Sequence, residues 1–247
     1  MTKETRVALI TGAGRNIGRA VALALAGMGF DVVINGSSDR AAAEAVAAEA
    51  RAMGGRALVA MGDVGERAEC LRIAGLAMAE FGRVDVLVNN AALRPIQKFL
   101  DITEADWRRI MAVDLEAAVW LTQACLPGMV ERGWGRIVNF TGMNAIHGYA
   151  GRGPVSVAKH GLWGLTKSLG KEFGPTGITV NAISPGPIAA DDEGDTPSAY
   201  RQAIVARVPA GRMGLPREVA AAVRLLASED GGYINGQMIA VNGGAET

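Results

Sequence analysis

Two cysteines and two histidines in 247 residues leave little from which to build a disulfide framework or a metal centre. Cys70 and Cys125 lie in apolar helical patterns, with no CxxC pair and no histidine at ligand spacing, and His147 and His160 are too far apart for a local metal site. The sequence therefore predicts two buried free thiols and no metal. An excess of one charge is also missing. Lys and Arg total 25 against 25 Asp and Glu, which excludes the basic footprint of a nucleic-acid or anionic-membrane binder and favours a small-molecule ligand. No apolar run approaches the ~18 residues of a membrane span. The opening MTKETRVALITG has no apolar run long enough for a signal peptide before its first turn, so a cytoplasmic location is expected. There is no low-complexity tract and no shift of composition, and one domain over residues 1–247 is expected.

What the chain does have is glycine and alternation. Its 33 glycines recur between apolar segments, which suits short turns joining many elements. Seven short runs read as strands: VALI (7–10), VVI (32–34), ALVA (57–60), VDVLV (84–88), RIVNF (136–140), ITVNAI (178–183) and QMIAV (237–241). Between them, Asn16–Met28, Arg40–Met53, Arg67–Phe81, Trp107–Glu131, Pro154–Phe173 and Pro216–Ser228 carry apolar residues at helical spacing. Strand alternating with helix predicts an α/β fold, a doubly wound seven-stranded parallel sheet with helices on both faces. Pro154 and Pro216 suit the first turns of their helices. Residues 189–214, with DDEGD and further Gly and Pro, break the alternation just after a strand and read as a substrate lid.

Directly after the first strand comes Thr11-Gly12-Ala13-Gly14-Arg15-Asn16-Ile17-Gly18, opening a helix. Glycines here allow a tight turn and close approach of a pyrophosphate, whose charge is favoured by free N–H groups at the helix start. With Asp63-Val64, Asn89-Asn90-Ala91-Ala92, Pro185-Gly186 and Val241-Asn242-Gly243-Gly244 following in order, the chain resembles the short-chain dehydrogenase/reductase family over nearly its whole length. Asn16 stands at the middle glycine of the family's TGxxxGxG turn; asparagine is the next residue most tolerant of a left-handed backbone. The resemblance implies a Rossmann fold holding a nicotinamide dinucleotide. Gly12, Arg15, Asn16, Ile17 and Gly18 would lie at the phosphates, Ser37 at the ribose, Asp63 and Val64 at the adenine, and Asn90 and Ala91 beside the ring system. Pro185, Gly186 and Ile188 would lie at the nicotinamide, and Lys159 at its ribose. Asp63 also reads as a helix cap, and Asn90 as a turn residue. The stretch Ile34-Asn35-Gly36-Ser37-Ser38 carries no acid to repel a phosphate. With Arg15 and two hydroxyls nearby, NADP is expected rather than NAD.

The family's reductases use a Tyr four residues before a Lys, a Ser after the fifth strand and an Asn on the preceding long helix. Here Lys159 is present and Val155 stands at the tyrosine position; valine cannot transfer a proton. Gly142 falls at the serine, with Thr141 as the hydroxyl donor if the register slips by one. Asp114 stands at the asparagine, and Ala189 and Ala190 where a threonine often holds the carboxamide. His147 and Tyr149, in the loop after a strand's carboxyl end, are candidates for acid/base or ligand contact. Asp114 reads either as a structural partner of Lys159 or, if desolvated, as a base. Arg94 and Arg152 could hold an anionic substrate or be simply solvated. The expected function is an NADP(H)-dependent oxidoreductase with non-standard proton handling. The alternatives are a non-redox enzyme on this scaffold (a lyase, isomerase or dehalogenase) or a non-catalytic nucleotide-binding subunit. The expected partners are a small-molecule substrate and further copies of the chain, as a dimer or tetramer formed by the two long helices.

Overall fold

The five inner strands of the sheet are buried on both faces, which is why each reads as a near-continuous apolar run and not as an alternation. The computed structural model describes residues 5–190 and 198–246. It contains β1 (Val7–Ile10), β2 (Asp31–Gly36), β3 (Ala57–Met61), β4 (Val86–Asn89), β5 (Gly135–Phe140), β6 (Ile178–Pro185) and β7 (Met238–Val241). They form one seven-stranded sheet in the order β3-β2-β1-β4-β5-β6-β7, with every neighbouring pair parallel. The chain thus winds outward from β1 in one direction and then from β4 in the other. The resulting switch point leaves a crevice at the carboxyl ends of β1 and β4.

Helices cover both faces. Side chains alternate along a strand, so Ala8 and Ile10 point to one layer and Val7 and Leu9 to the other. The first layer is closed by α1 (Asn16–Ala26), α2 (Arg40–Ala52) and α8 (Pro216–Ala227), through Val21, Leu25, Val46, Val223 and Leu226. The second is closed by α3 (Arg67–Phe81), α5 (Ala117–Arg132) and α6 (Gly153–Phe173). Cys70 and Cys125 are buried free thiols in that second layer. Burial pushes their pKa values up to about 11 and about 12, the environment of an inert structural cysteine.

The run expected as one helix over Trp107–Glu131 is three pieces. It starts earlier, as α4 (Glu104–Met111), because Thr103 and Asp106 form a reciprocal capping box. A π-helical turn over Ala112–Glu116 follows, and α5 continues to Arg132 with Pro127 inside it. Part of the α4–α5 stretch is apolar enough to cross a membrane by length and composition, but half of its most apolar window is buried inside the fold. Of the lid expected over 189–214, residues 191–197 lie outside the described residues. The remainder holds α7 (Ser198–Val205) and a bridge between Ile188 and Gly214.

Asp85, wholly buried, pins the centre of the sheet. One carboxylate oxygen accepts the Val7 N–H at 2.9 Å, and the group also meets Arg83 and Arg132. Asp85→Ala takes the carboxylate away from both guanidiniums and leaves an N–H of β1 without its acceptor. It is expected to lower unfolding stability by about 3 kcal/mol, read as a fall in urea midpoint at constant m-value; a change below about 0.5 kcal/mol would show that Asp85 does not pin the strands.

Candidate functional site

The crevice above β1 and β4 is a cleft of about 730 Å³, within the roughly 300–1,000 Å³ range of small-molecule and cofactor sites. Its floor is shaped by close backbone approaches. A Cβ on Gly18 would lie 2.1 Å from the Gly12 carbonyl oxygen, and one on Gly186 would lie 2.6 Å from the Asn242 Cα. Asn16 has φ 49°, and among the described residues it is the one non-glycine with positive φ, so asparagine does take the left-handed conformation that its place in the turn requires.

Two asparagines brace this turn. Asn35 donates from Nδ2 to the carbonyls of Ala60 and Gly62 while its oxygen faces the Gly12 N–H. Asn90 donates to the carbonyls of Thr11 and Gly12, and the Thr11 hydroxyl oxygen accepts from the N–H groups of Asn90 and Ala91. Tying β1, β2, β3 and β4 together at their carboxyl ends holds the N–H groups of the turn in place before any ligand arrives. That is the preorganisation a phosphate site needs.

Of the residues expected at a cofactor, Gly12, Arg15, Asn16, Ile17, Gly18, Ser37, Asp63, Val64, Asn90, Ala91, Pro185, Gly186 and Ile188 all line this cleft. Lys159 does not. It lies beneath the floor with Asp114, in a small void that shares Ala91 and Val113 with the cleft. Asp39, one residue past the stretch expected to be free of acid, also lines the wall; its carboxylate accepts the Ala42 N–H and caps α2. Burial opposes the charge of Asp63, but the Arg109 guanidinium at 2.7 Å and the Gly65 N–H hold its carboxyl below the ordinary value.

Lys159 and Asp114 form a dry pair. Their side chains are 5 % and 0 % exposed, with Nζ 3.5 Å from Oδ2. Asp114 Oδ1 accepts the Leu93 N–H at 2.7 Å, while Oδ2 has no hydrogen-bond partner. Burial pushes the Asp114 carboxyl up and the Lys159 ammonium down, because the Coulombic attraction across 3.5 Å only partly offsets the loss of water. The π-helical turn carries Asp114 to this position, a common use of such turns.

Val155 is 1 % exposed and packs against Ile110 and Ala158. Gly142 has φ 70° and ψ 176°, a conformation that is essentially glycine-only. Thr141 is buried, and its hydroxyl donates to the Ile183 carbonyl at 3.1 Å, with Met238 Sδ at 3.3 Å. Its one proton is committed within the sheet.

The loop after β5 meets a residue that sequence reasoning missed. Glu246, beyond β7, accepts the Tyr149 hydroxyl at 2.6 Å and lies 3.0 Å from His147 Nε2. Burial and this bond push the Tyr149 hydroxyl up to about 12, so it stays protonated through the neutral range. No local motif marks Glu246, since its partner Tyr149 lies 97 residues away along the chain and His147 lies further still. Asn35 did leave a trace, as a polar residue closing the apolar run of β2.

Comparison with known proteins agrees with this geometry. A family model described as enoyl-(acyl carrier protein) reductase matches residues 12–246. The chain is 39 % identical over 239 residues to nodulation protein G of Azospirillum brasilense, covering 97 % of each. It is 38 % identical over 240 residues to a 3-oxoacyl-[acyl-carrier-protein] reductase of Synechocystis, covering 97 % of this chain and 96 % of that one. The crystal structure of an acetoin dehydrogenase from Salmonella typhimurium superposes with a TM-score of 0.89 at 35 % identity, over 97 % of this chain and 95 % of that one.

Proposed function

Since the chain belongs to the short-chain dehydrogenase/reductase family of oxidoreductases, we propose that it is an NADP(H)-dependent oxidoreductase, acting on a small molecule, whose proton handling departs from the family's. The observation that carries this reading is the braced phosphate turn at the switch point, opening into a cleft of cofactor size. Gly12, Asn16, Ile17 and Gly18 would meet the pyrophosphate with backbone N–H groups and the amino end of α1. Asp63 and Val64 would flank the adenine, and Pro185, Gly186 and Ile188 the nicotinamide. Arg15, Ser37 and Ser38 favour a 2′-phosphate, with Asp39 turned to the first turn of α2. When bound, the dinucleotide supplies or accepts the hydride.

The chain's own residues then have to manage the proton. With valine at 155, no phenol sits four residues before Lys159. Tyr149, held protonated by Glu246, and His147, in the same loop, are the groups proposed to deliver or relay a proton at the mouth. Asp114 and Lys159 act from below the floor, setting the potential at the nicotinamide end and anchoring Leu93. The names of the relatives, a 3-oxoacyl reductase and an acetoin dehydrogenase, point to a carbonyl–alcohol couple, and assembly through α5 and α6 is proposed with it.

Calorimetric titration tests this directly. NADPH is expected to bind in the micromolar range, at least about tenfold tighter than NADH. Oxidation of NADPH by a carbonyl, imine or activated alkene should follow. Absence of any nicotinamide binding would sink the reading, and tight binding without turnover of any acceptor would leave the chain a nucleotide-binding subunit.

A further inference from the structure

Two arginines stand where neither the fold nor the proposed cofactor contacts use them. Arg94 lines the cleft beside Leu93, whose N–H is bound to Asp114. Arg152 precedes α6, in the same loop as Tyr149, whose carbonyl accepts the Arg152 N–H. The two loops are fastened together: the Gln97 N–H donates to the Gly151 carbonyl at 2.9 Å, and a Cβ on Gly151 would come within 3.0 Å of Ile96. Arg94, on the cleft wall, and Arg152 are therefore set on adjoining loops, close enough for each to feel the other's charge.

Their charges are not matched. Among the described residues, neither guanidinium has a hydrogen bond or ion pair to a carboxylate; Arg212 and Glu218 show how such a pair looks elsewhere in the chain. Arg94 is exposed to water, yet crowding by the surrounding protein lowers its pKa; Asp114 opposes that, and Arg152 adds to it. The remaining carboxylates nearby are already engaged, Asp114 by Lys159 and Leu93, and Glu246 by Tyr149 and His147. Like charges held close in a partly desolvated opening cost stability unless an anion completes them. Guanidinium forks match the planar geometry of a carboxylate.

We propose that Arg94 and Arg152 form an anion subsite at the mouth of the cleft, and that the substrate is a small carbonyl or hydroxy acid held there by its own carboxylate. The class of substrate rests on the oxidoreductase reading; the subsite does not, and binding tests it without turnover.

The experiment titrates the full chain, with and without saturating NADPH, with pyruvate, acetoacetate and levulinate, with the methyl ester of each, and with inorganic phosphate. At least one acid is expected to bind about tenfold or more tighter than its ester, and tighter than phosphate. Arg94→Gln and Arg152→Gln should each remove most of that difference while leaving ester binding unchanged and Tm no lower, and Arg94→Lys should fall between. If no acid outbinds its ester, or if both glutamine variants keep the preference, the subsite does not exist. If phosphate outbinds all three acids, the anion is a phosphate carried by the substrate and the carboxylate assignment is overturned. Failure of NADPH binding in the same titrations, with the acid preference intact, would remove the cofactor reading and leave the subsite standing.

Discussion

In a Val155→Tyr variant, NADPH-dependent carbonyl reduction is expected to rise by about 10²-fold or more, because a positioned proton donor is worth roughly 10²–10⁴ in rate. The new phenol would lie four residues before Lys159 on α6, and so on the same helical face. The gain carries a stability cost. Val155 is 1 % exposed against Ile110 and Ala158, so the ring must turn toward the cleft, and overpacking of this kind costs about 1–3 kcal/mol. A higher kcat with a lower Tm is the expected signature. Adding Gly142→Ser to restore the second hydroxyl is a poorer choice than the sequence suggests. There is room for a Cβ at that position, but φ 70° with ψ 176° puts a non-glycine residue under strain of about 1–3 kcal/mol. No rise in rate for Val155→Tyr, with NADPH affinity intact, would mean that position 155 does not address the reacting oxygen.

The second large effect is on stability. Lys159→Met removes the cation that forms an ion pair with Asp114 in a site where both side chains are at most 5 % exposed. An uncompensated buried charge of this kind costs about 3–5 kcal/mol. Chemical denaturation at neutral pH should show that loss. The companion variant Lys159→Met with Asp114→Asn should recover most of it, since an amide oxygen can still accept the Leu93 N–H at 2.7 Å without carrying charge. If the single variant loses less than about 1 kcal/mol, Asp114 is protonated or hydrated once the lysine is gone, and the pair is not a structural one.

How far these residues could be read from the sequence depends on how local their signals are. All seven strands and the parallel winding follow from apolar runs of strand length separated by helical spacing, and the tight turn between β1 and α1 follows from glycines placed between a strand and a helix. Asn16 is legible because backbone conformation is a property of one residue and its neighbours. The break between α4 and α5 is not, because a π-helical turn shifts hydrogen bonding without altering the apolar spacing around it. The resemblance implies a place for Lys159 at the nicotinamide ribose, and in the structure it lines a small void with Asp114 beneath the cleft; depth is decided by the helix packed beside it. Glu246 is invisible for a related reason, since its meaning comes entirely from a loop nearly a hundred residues earlier in the chain.

The winding order of the sheet also has a kinetic side. β1 is made first but lies third in space, between β2 and β4, and the Asp85 carboxylate that clasps its first N–H arrives 78 residues later. Until that length of chain has been gathered in, β1 has β2 on one flank and an unpaired edge on the other. Closing so long a loop costs entropy before any contact rewards it. The step that completes the central strands should therefore limit refolding, and an arrested amino-terminal half would expose the edge from which parallel strands aggregate.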